Sequence, residues 1–435
     1  MTIFATYAAV VVFVVSYGLI ATEKVHRVAA ALGGVAGMIL LGIVGADSAF
    51  FDRTTGVDWN VVFLLFGMMV IVSILRHTGL FESIALWAAR ASQGKPARLM
   101  FLLIIVTAGI SPVLDNVTTV LLVTPVTLSV CQRLRIDPMP HLIALILSAN
   151  VGGLGTLIAD PPNIIIASRA GLTFNDFLVH SLPLCIVLIA VVTGLLMLMF
   201  RKQLRVTINV EEVLEGIHPS DAIENKPLLI RCLVVLIITM VAFGFHSFTH
   251  VDLSIIALLG AGAMVLVSRT TPQEFLREVE WMTLAFFMAL FVLVGGLVKV
   301  GVISSIGGAA ASLMGGDELA GATGLLVFST IVGGLVDNIP YTAAMTPVVE
   351  AMVASTPHSG AASPLWWAFL FGADLAGNST AVAAGANVVV LGVAAKWGRP
   401  ISFWKFTKYG LTVTITTVAI AWLYVWLRYF ALSEG

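Results

Sequence analysis

Long apolar runs separated by short polar stretches extend along the whole chain. A helix of about 20 apolar residues spans the roughly 30 Å of hydrocarbon in a bilayer. Runs of this kind recur often enough to predict ten membrane crossings, so the pattern indicates an all-α polytopic membrane protein. The predicted crossings lie near residues 3–21, 27–45, 59–76, 140–170, 178–200, 229–248, 253–268, 281–298, 365–395 and 408–428.

Two further apolar stretches, 98–133 and 320–353, are interrupted by polar pairs near their centres. The sequence there reads "LDNVTTVLLVTP" from residue 114 and "VDNIPYTAAMTP" from residue 336. A carboxylate within hydrocarbon is costly unless it is paired, hydrated or used in function. We interpret both stretches as re-entrant hairpins with Asp115-Asn116 and Asp337-Asn338 at their tips.

Composition supports the membrane assignment. The 435 residues are 59% hydrophobic and 11% charged, with a mean hydropathy of +1.03, whereas soluble domains carry roughly 25% charged residues. The formal net charge of −1 gives no reason to expect a nucleic-acid partner. Three scattered cysteines, Cys131, Cys185 and Cys232, offer no metal or disulfide framework. No cofactor is expected.

Positive charge predicts the topology, because cytoplasmic loops of membrane proteins are enriched in Lys and Arg. If both interrupted stretches return to the side they left, one side collects 19 of the 23 Lys and Arg residues, all but Arg53, Arg169, Lys299 and Arg428. We therefore expect a cell (inner) membrane protein with both termini outside and a cytoplasmic linker at 201–227. Two full crossings per interrupted stretch would give the same loop sides, so charge alone does not separate these alternatives.

An internal repeat relates residues 1–200 to residues 228–435. An offset of 222 positions takes Asp115-Asn116 to Asp337-Asn338 and Trp59 to Trp281. An offset of 224 takes Asn163 to Asn387. Each half has five crossings and one hairpin, and an odd number of crossings makes the second half enter from the opposite side. Inverted-topology repeats of this kind are typical of alternating-access transporters.

Two of the predicted crossings contain breaks. "SANVGGLGTLIADPPNII" (148–165) and "GADLAGNSTAVAAGANVV" (372–389) are rich in glycine, and the first has two adjacent prolines. These residues disfavour a continuous helix, and unwound backbone at membrane depth is tolerated only inside protein or along a wet cavity. We expect the hairpin tips and breaks to form a polar cage of hard oxygen ligands, suited to sodium or protons. Its candidate members include Asp115, Thr119, Asn150, Gly153, Thr156, Asp160, Asp337, Asp374 and Ser379.

These four motifs resemble the ArsB/NhaD branch of the ion transporter superfamily, and within it the melanosomal P protein and its bacterial relatives. More distantly they resemble the divalent-anion/sodium symporters, which carry Ser-Asn-Thr at both hairpin tips; here Asp115 and Asp337 stand where that family has serine. The resemblance implies a homodimer with a scaffold domain and a transport domain. It also implies ion and substrate sites lined by Asn116, Thr118, Asn163, Asn338, Thr342, Asn378, Thr380 and Asn387, with sodium near Asn116, Asn163, Asn338 and Asn387.

The expected function is secondary active transport coupled to protons or sodium. By resemblance, efflux of arsenite or antimonite is the leading activity, and sodium/proton antiport is the alternative. A sodium-coupled dicarboxylate is disfavoured, because four carboxylates would repel it. A channel is a remote alternative. An enzyme is not expected, since neither a nucleotide-binding GxxxxGK[ST] motif nor the usual motif pair of an intramembrane aspartyl protease is present. ArsB-type proteins can associate with a separate ATPase subunit.

Some of these residues also have plain structural explanations. Asp115 and Asp337 suit helix N-caps, Asp160 suits a turn before the two prolines, and glycines suit close helix packing. Tryptophans commonly form belts at membrane interfaces, and this is the role expected for Trp366, Trp367, Trp397 and Trp404.

Overall fold

The computed structural model describes residues 3–22, 25–205, 219–223, 225–269 and 271–432, and its regular secondary structure there is helical. Most of the predicted linker, 206–218 and 224, lies outside the described residues, as do both chain ends. The first half contains α1 Ile3–Thr22, α2 Arg27–Leu40, α3 Ala46–Phe50, α4 Trp59–Arg76, α5 Leu80–Ala91, α6 Pro96–Ile110, α7 Asn116–Arg133, α8 Met139–Gly153, α9 Pro161–Ala170 and α10 Phe174–Met199.

The second half repeats this order. It contains α11 Lys226–Thr249, α12 Leu253–Ser268, α13 Pro272–Glu278, α14 Trp281–Lys299, α15 Val302–Met314, α16 Glu318–Leu335, α17 Asn338–Val353, α18 Pro364–Ala376, α19 Gly385–Lys396 and α20 Phe403–Ala431. Short 3₁₀ turns at Gln203–Arg205, Pro219–Ala222 and Gly360–Ala362 complete the described elements.

Seven of these helices are long and apolar enough to cross a membrane: α1, α4, α10, α11, α14, α16 and α20. Most of the remaining apolar helices are shorter, with 10–17 residues each. They include the halves of the two interrupted crossings, α8 with α9 and α18 with α19. The expected polytopic all-helical fold is thereby confirmed, with its polar segments at helix ends.

The structure contains two helices that the apolar pattern did not predict. The sequence from 76 to 98 was expected to be a loop, but Leu80–Ala91 forms α5. Its equivalent after 222 positions, Val302–Met314, forms α15. Both helices begin directly after a glycine with a positive φ, Gly79 at 74° and Gly301 at 82°. Because left-handed backbone suits glycine best, these glycines let the chain turn sharply from α4 and α14 into the added helices.

Each hairpin begins and ends on the same side of the molecule. In the first hairpin, α6 begins at Pro96, and the carbonyl oxygen of Pro96 lies 3.2 Å from Nε2 of His141 in the first turn of α8, just after α7 ends. In the second, Nδ1 of His358, which follows α17, lies 2.8 Å from Oε2 of Glu318, which begins α16. The first hairpin therefore opens at one end of the bundle and the second at the other.

Contacts between loops agree with the grouping that the positive charges predict. On the side rich in Lys and Arg, which we call the basic face, His77 lies 2.8 Å from Glu278. On the opposite side, the Arg169 guanidinium donates to the carbonyl of Thr54 at 2.8 Å. Each contact joins loops from different parts of the chain, so the two repeats are inverted relative to one another.

Two helices, α8 and α18, form the centre of the bundle, since every residue of each is buried. Helices that are apolar all round are buried in this way. Gly372 allows α18 to approach α16 closely, because an added Cβ would lie 2.7 Å from the carbonyl oxygen of Leu326. The expectation that Trp366 and Trp367 lie in an interfacial belt is wrong: they are 2% and 0% exposed. They belong to α18, whose central position removes them from lipid.

Candidate functional site

Both hairpin tips use their aspartate as a helix cap. Oδ1 of Asp115 accepts from the backbone N–H of Thr118 at 2.7 Å and begins α7. Oδ1 of Asp337 accepts from the N–H of Ile339 at 3.0 Å and begins α17. These bonds satisfy amides at the helix N-termini that otherwise have no intrahelical partner. Each carboxylate keeps its second oxygen for another role.

Matching asparagines bridge the two helix breaks. Nδ2 of Asn163 donates to the carbonyls of Gly153 and Thr156, both at 2.9 Å. At the equivalent positions, 224 residues later, Nδ2 of Asn387 donates to the carbonyls of Gly377 and Thr380 at 2.7 and 2.8 Å. Each side chain thus satisfies carbonyls left open where its first half-helix ends.

Two threonines join each break to its own hairpin. The hydroxyl of Thr156 donates to the carbonyl of Pro112 in the first hairpin. The hydroxyl of Thr380 donates to the carbonyl of Gly334 in the second, at 2.8 Å. Pro112 and Gly334 are themselves related by the offset of 222. Hairpin and broken helix are therefore tied together in the same way in both repeats.

A chain of side-chain amides crosses from one repeat to the other. Nδ2 of Asn150 lies 3.1 Å from Oδ1 of Asn378 and 3.0 Å from Oδ1 of Asn387. Nδ2 of Asn116 lies 3.4 Å from Oδ1 of Asn150 and donates to Oδ2 of Asp160 at 2.9 Å. The first hairpin tip is thereby connected to the second break through four buried asparagines.

Two carboxylates lie within this network. Asp160 and Asp374 are 3% and 2% exposed, and no other acidic residue that the structure describes is buried to this extent. Neither oxygen of Asp374 has a hydrogen-bond partner among the described residues. No described Lys or Arg is buried. An unpaired buried carboxylate is too costly to persist as an anion, so a proton or a bound cation has to compensate it.

A cavity of about 280 Å³ reaches the network from the basic face. It contacts both hairpin tips, through Asp115 and Asn116 from the first and Asn338 from the second, and it reaches Asp160 at the first break. Arg27 is its one basic lining residue, set against Asp115, Asp160 and Glu280. The cavity therefore has an acidic lining.

Other members of the expected cage lie behind the cavity or bond locally. The hydroxyl of Thr342 donates to the carbonyl of Asn338 at 2.8 Å, and that of Ser379 to the carbonyl of Ala376 at 2.6 Å. Thr119 Oγ1 is buried without a partner among the described residues, and Thr118 is half-buried one turn into α7. Asn150, Gly153, Asn163, Asp374, Asn378 and Asn387 form a buried layer beneath the cavity.

Sequence reasoning missed Arg27 and Glu280. Nη1 of Arg27 lies 3.4 Å from Oδ2 of Asp337, and its guanidinium carbon lies 5.4 Å from the ring centre of Phe286. One signal could have found Glu280, because Asp58-Trp59 recurs as Glu280-Trp281 at the offset of 222. For Arg27 the charge count gave only its membrane side. Its contact with a hairpin tip 310 positions away is a tertiary feature.

Inverted repeats, re-entrant hairpins and paired broken helices around a polar centre define a membrane transporter. The chain belongs to the citrate transporter family (CitMHS), whose family model matches residues 17–372. A protein of Mycobacterium tuberculosis described as an uncharacterized transporter is 49% identical over 97% of this chain and 98% of its own length. A "46 kDa membrane protein" of Mycobacterium leprae is 46% identical over 98% of this chain and 99% of its own.

The predicted resemblance to the P protein is also confirmed. The human P protein is 32% identical over 94% of this chain, which spans 58% of that longer protein. Among solved structures, the YdaH transporter of Alcanivorax borkumensis, described as having an unusual topology, has a TM-score of 0.58. The match covers 98% of this chain and 97% of that one at 15% identity, so it supports the fold alone.

Proposed function

We propose that this protein is a secondary active transporter that exchanges protons for a monovalent cation at its acidic centre. The observation that carries this proposal is the pair of buried carboxylates, Asp160 and Asp374, with no buried basic residue in the described part of the chain. A buried carboxylate is neutralised equally by a proton or by a bound cation. Alternation between these two states couples the two fluxes.

Alternating access follows from the repeat. The cavity opens toward the basic face, past Arg27 and Glu280. Because the second repeat is inverted, exchanging the conformations of the two halves would open the same centre to the opposite face. We propose that the site faces each side in turn and that the two hairpins move past the remaining helices.

The charges of the cavity bear on the substrate. A free tricarboxylate or dicarboxylate would meet Asp115, Asp160 and Glu280 against one Arg27, which disfavours such anions unless they enter protonated or as cation complexes. Efflux of arsenite is the second candidate function. The asparagine cluster favours it, since neutral As(OH)₃ needs hydrogen-bonding partners rather than a counter-charge, and Asn116, Asn150 and Asn378 supply amides.

The proposal also includes the protein's setting. The transporter lies in the cell (inner) membrane with both termini outside, works as a homodimer and uses Na⁺ or H⁺ as the coupling ion. For arsenite efflux, association with a separate ATPase subunit would be an additional driving mechanism. Each of these features rests on the charge distribution or on family resemblance.

A transport assay in proteoliposomes tests the function. Purified protein is reconstituted with an internal pH dye, a proton gradient is imposed, and sodium, lithium, chloride, succinate, citrate and arsenite are added separately. We expect sodium or lithium to trigger a proton flux that is lost in Asp160→Asn and Asp374→Asn. A flux triggered by arsenite alone would establish the second candidate. A flux triggered only by succinate or citrate, or no flux with any of them, would contradict cation exchange.

A further inference from the structure

The two helix breaks share their backbone contacts but differ at one buried side chain. The offset of 224 relates Asn150 to Asp374, Gly153 to Gly377 and Asn163 to Asn387. In one arrangement, Asn150 donates to Oδ1 of Asn387 at 3.0 Å and to the carbonyl of Gly377 at 3.3 Å. In the equivalent arrangement, the repeat places a carboxylate, Asp374, where the amide donor would be.

Helix packing supports this equivalence. Asn150 and Asn387 meet where α8 packs against α19, and α18 packs against α9 in the corresponding way. Asp374 lies on α18 and Asn163 lies on α9. The position opposite Asp374 is therefore that of Asn163 and the carbonyl of Gly153, both of which present oxygen.

The hydrogen-bond inventory shows the consequence of this replacement. Asn163 uses its amide nitrogen for the carbonyls of Gly153 and Thr156, so its Oδ1 points away from them. That Oδ1 is buried without a partner, and so are both oxygens of Asp374. Each buried acceptor left unsatisfied costs about 1–3 kcal/mol, and more for a charged group. Unpaired oxygens clustered without a donor form an environment for a proton or a cation.

We infer that Asp374 and Asn163 hold one monovalent cation, and that a proton on Asp374 replaces this cation in the exchange cycle. The inference rests on the proposed function and assigns its ion to one break of the two. In the proton-bound state, the carboxylic O–H of Asp374 donates to Oδ1 of Asn163. On exchange that proton leaves to the open side and Na⁺ binds the carboxylate and the amide oxygen, so the net charge of the site is unchanged.

The ligand class follows from the ligands. Carboxylate, amide and carbonyl oxygens are hard ligands, which suit Na⁺ rather than a transition metal. Among the described residues there is no group of three His, Cys, Asp or Glu that could hold a metal ion. The other charged groups around the centre are Asp160 within it and Asp115, Asp337 and Arg27 at the cavity. Asn150 and Asn387 form a permanent hydrogen bond instead, so we expect one ion site per chain.

Sodium binding to the full chain in detergent tests this site without requiring transport. Thermal unfolding is followed while Na⁺ replaces choline at constant ionic strength, because a ligand that binds only the folded state raises its stability. We expect Na⁺ to stabilise the wild type. We expect Asp374→Asn to fold, because its amide can donate to Asn163 as Asn150 does to Asn387, and to bind Na⁺ at least about tenfold more weakly. Asp221→Asn, an exposed acid outside the bundle, is the matched control.

A second measurement uses the wild type alone. If Na⁺ displaces the proton of Asp374, binding in weakly buffered solution should release one proton per ion, and Na⁺ affinity should fall as the pH is lowered. Na⁺ binding without proton release overturns the inference, also in the case that Asp374→Asn does not fold. An Asp374→Asn variant that binds Na⁺ like the wild type overturns it too, while cation exchange at Asp160 would survive. A wild type that binds neither Na⁺ nor Li⁺ defeats the proposed function itself.

Discussion

The side-chain amide of Asn116 donates to Oδ2 of Asp160 at 2.9 Å and so connects the first hairpin tip to the first helix break. The equivalent pair in the second repeat is Asn338 and Ala384, where the carboxylate is missing. Hairpin and break therefore share a buried polar bond in one repeat only. This difference makes the two tips unequal in stability and in function.

Replacing these two asparagines should have unequal effects. Asn116→Ala removes the donor that Asp160 uses, and a buried acceptor left unpaired costs about 1–3 kcal/mol. Asn338→Ala leaves no carboxylate unpaired, so its cost should be smaller by about 1 kcal/mol. Thermal unfolding of both variants in detergent at neutral pH measures the difference. Equal losses of stability would show that the bond to Asp160 contributes nothing.

The ion pair between Arg27 and Asp337 should matter more for ion binding than for stability. The two side chains are 40% and 21% exposed and lie 3.4 Å apart, and such partly solvated pairs contribute about 0–1 kcal/mol. Arg27→Gln also removes the one basic residue of an acidic cavity. We expect an unfolding temperature near that of the wild type and a KM for sodium lowered several-fold.

Arg53→Gln provides the control for this experiment, because Arg53 is exposed on the opposite side of the molecule. It should leave both the unfolding temperature and KM unchanged. A raised KM in Arg27→Gln would contradict the cation assignment, because an anionic substrate is the one that loses affinity when Arg27 is removed.

Gly372→Ala should loosen the packing of α16 against α18. The new methyl group would lie 2.7 Å from the carbonyl oxygen of Leu326 and 2.8 Å from Cβ of Ser329, and overpacking of this kind costs about 1–3 kcal/mol. Gly324 lies on the exposed side of α16, with nothing within 4 Å of an added Cβ. Gly324→Ala should be neutral or stabilise the helix by up to about 1 kcal/mol. Unfolding curves of the two variants should therefore shift in opposite directions or differ clearly in size.

The native thiols should be inert while the protein is folded. Cys131, Cys185 and Cys232 are 0%, 1% and 0% exposed. We expect no labelling by a water-soluble maleimide at neutral pH until the protein unfolds, followed by labelling of all three. Asp221→Cys, at an exposed position, should react at once and serves as the positive control. Rapid labelling of the wild type would mean that at least one of these helices opens under native conditions.

Much of this molecule can be read from its sequence. The apolar runs predicted the helical membrane fold, since run length is set directly by the thickness of the hydrocarbon layer. The constant offsets predicted the inverted repeat and paired Asp115 with Asp337 and Asn163 with Asn387. Positive charge grouped the loops on two faces. These features are periodic along the chain, and they need no knowledge of which side chains meet.

Only the tertiary structure decided what the individual polar residues do. Asp115 and Asp374 look equally suited to an ion site in the sequence, yet Asp115 caps a helix and Asp374 is buried without a hydrogen bond. Arg27 reaches a hairpin tip from the other half of the chain, and Trp367 is buried because α18 lies at the centre. The physical reason is that hydrogen bonding and burial depend on helices hundreds of residues apart, whereas hydrophobic length and repeat spacing are properties of the chain itself.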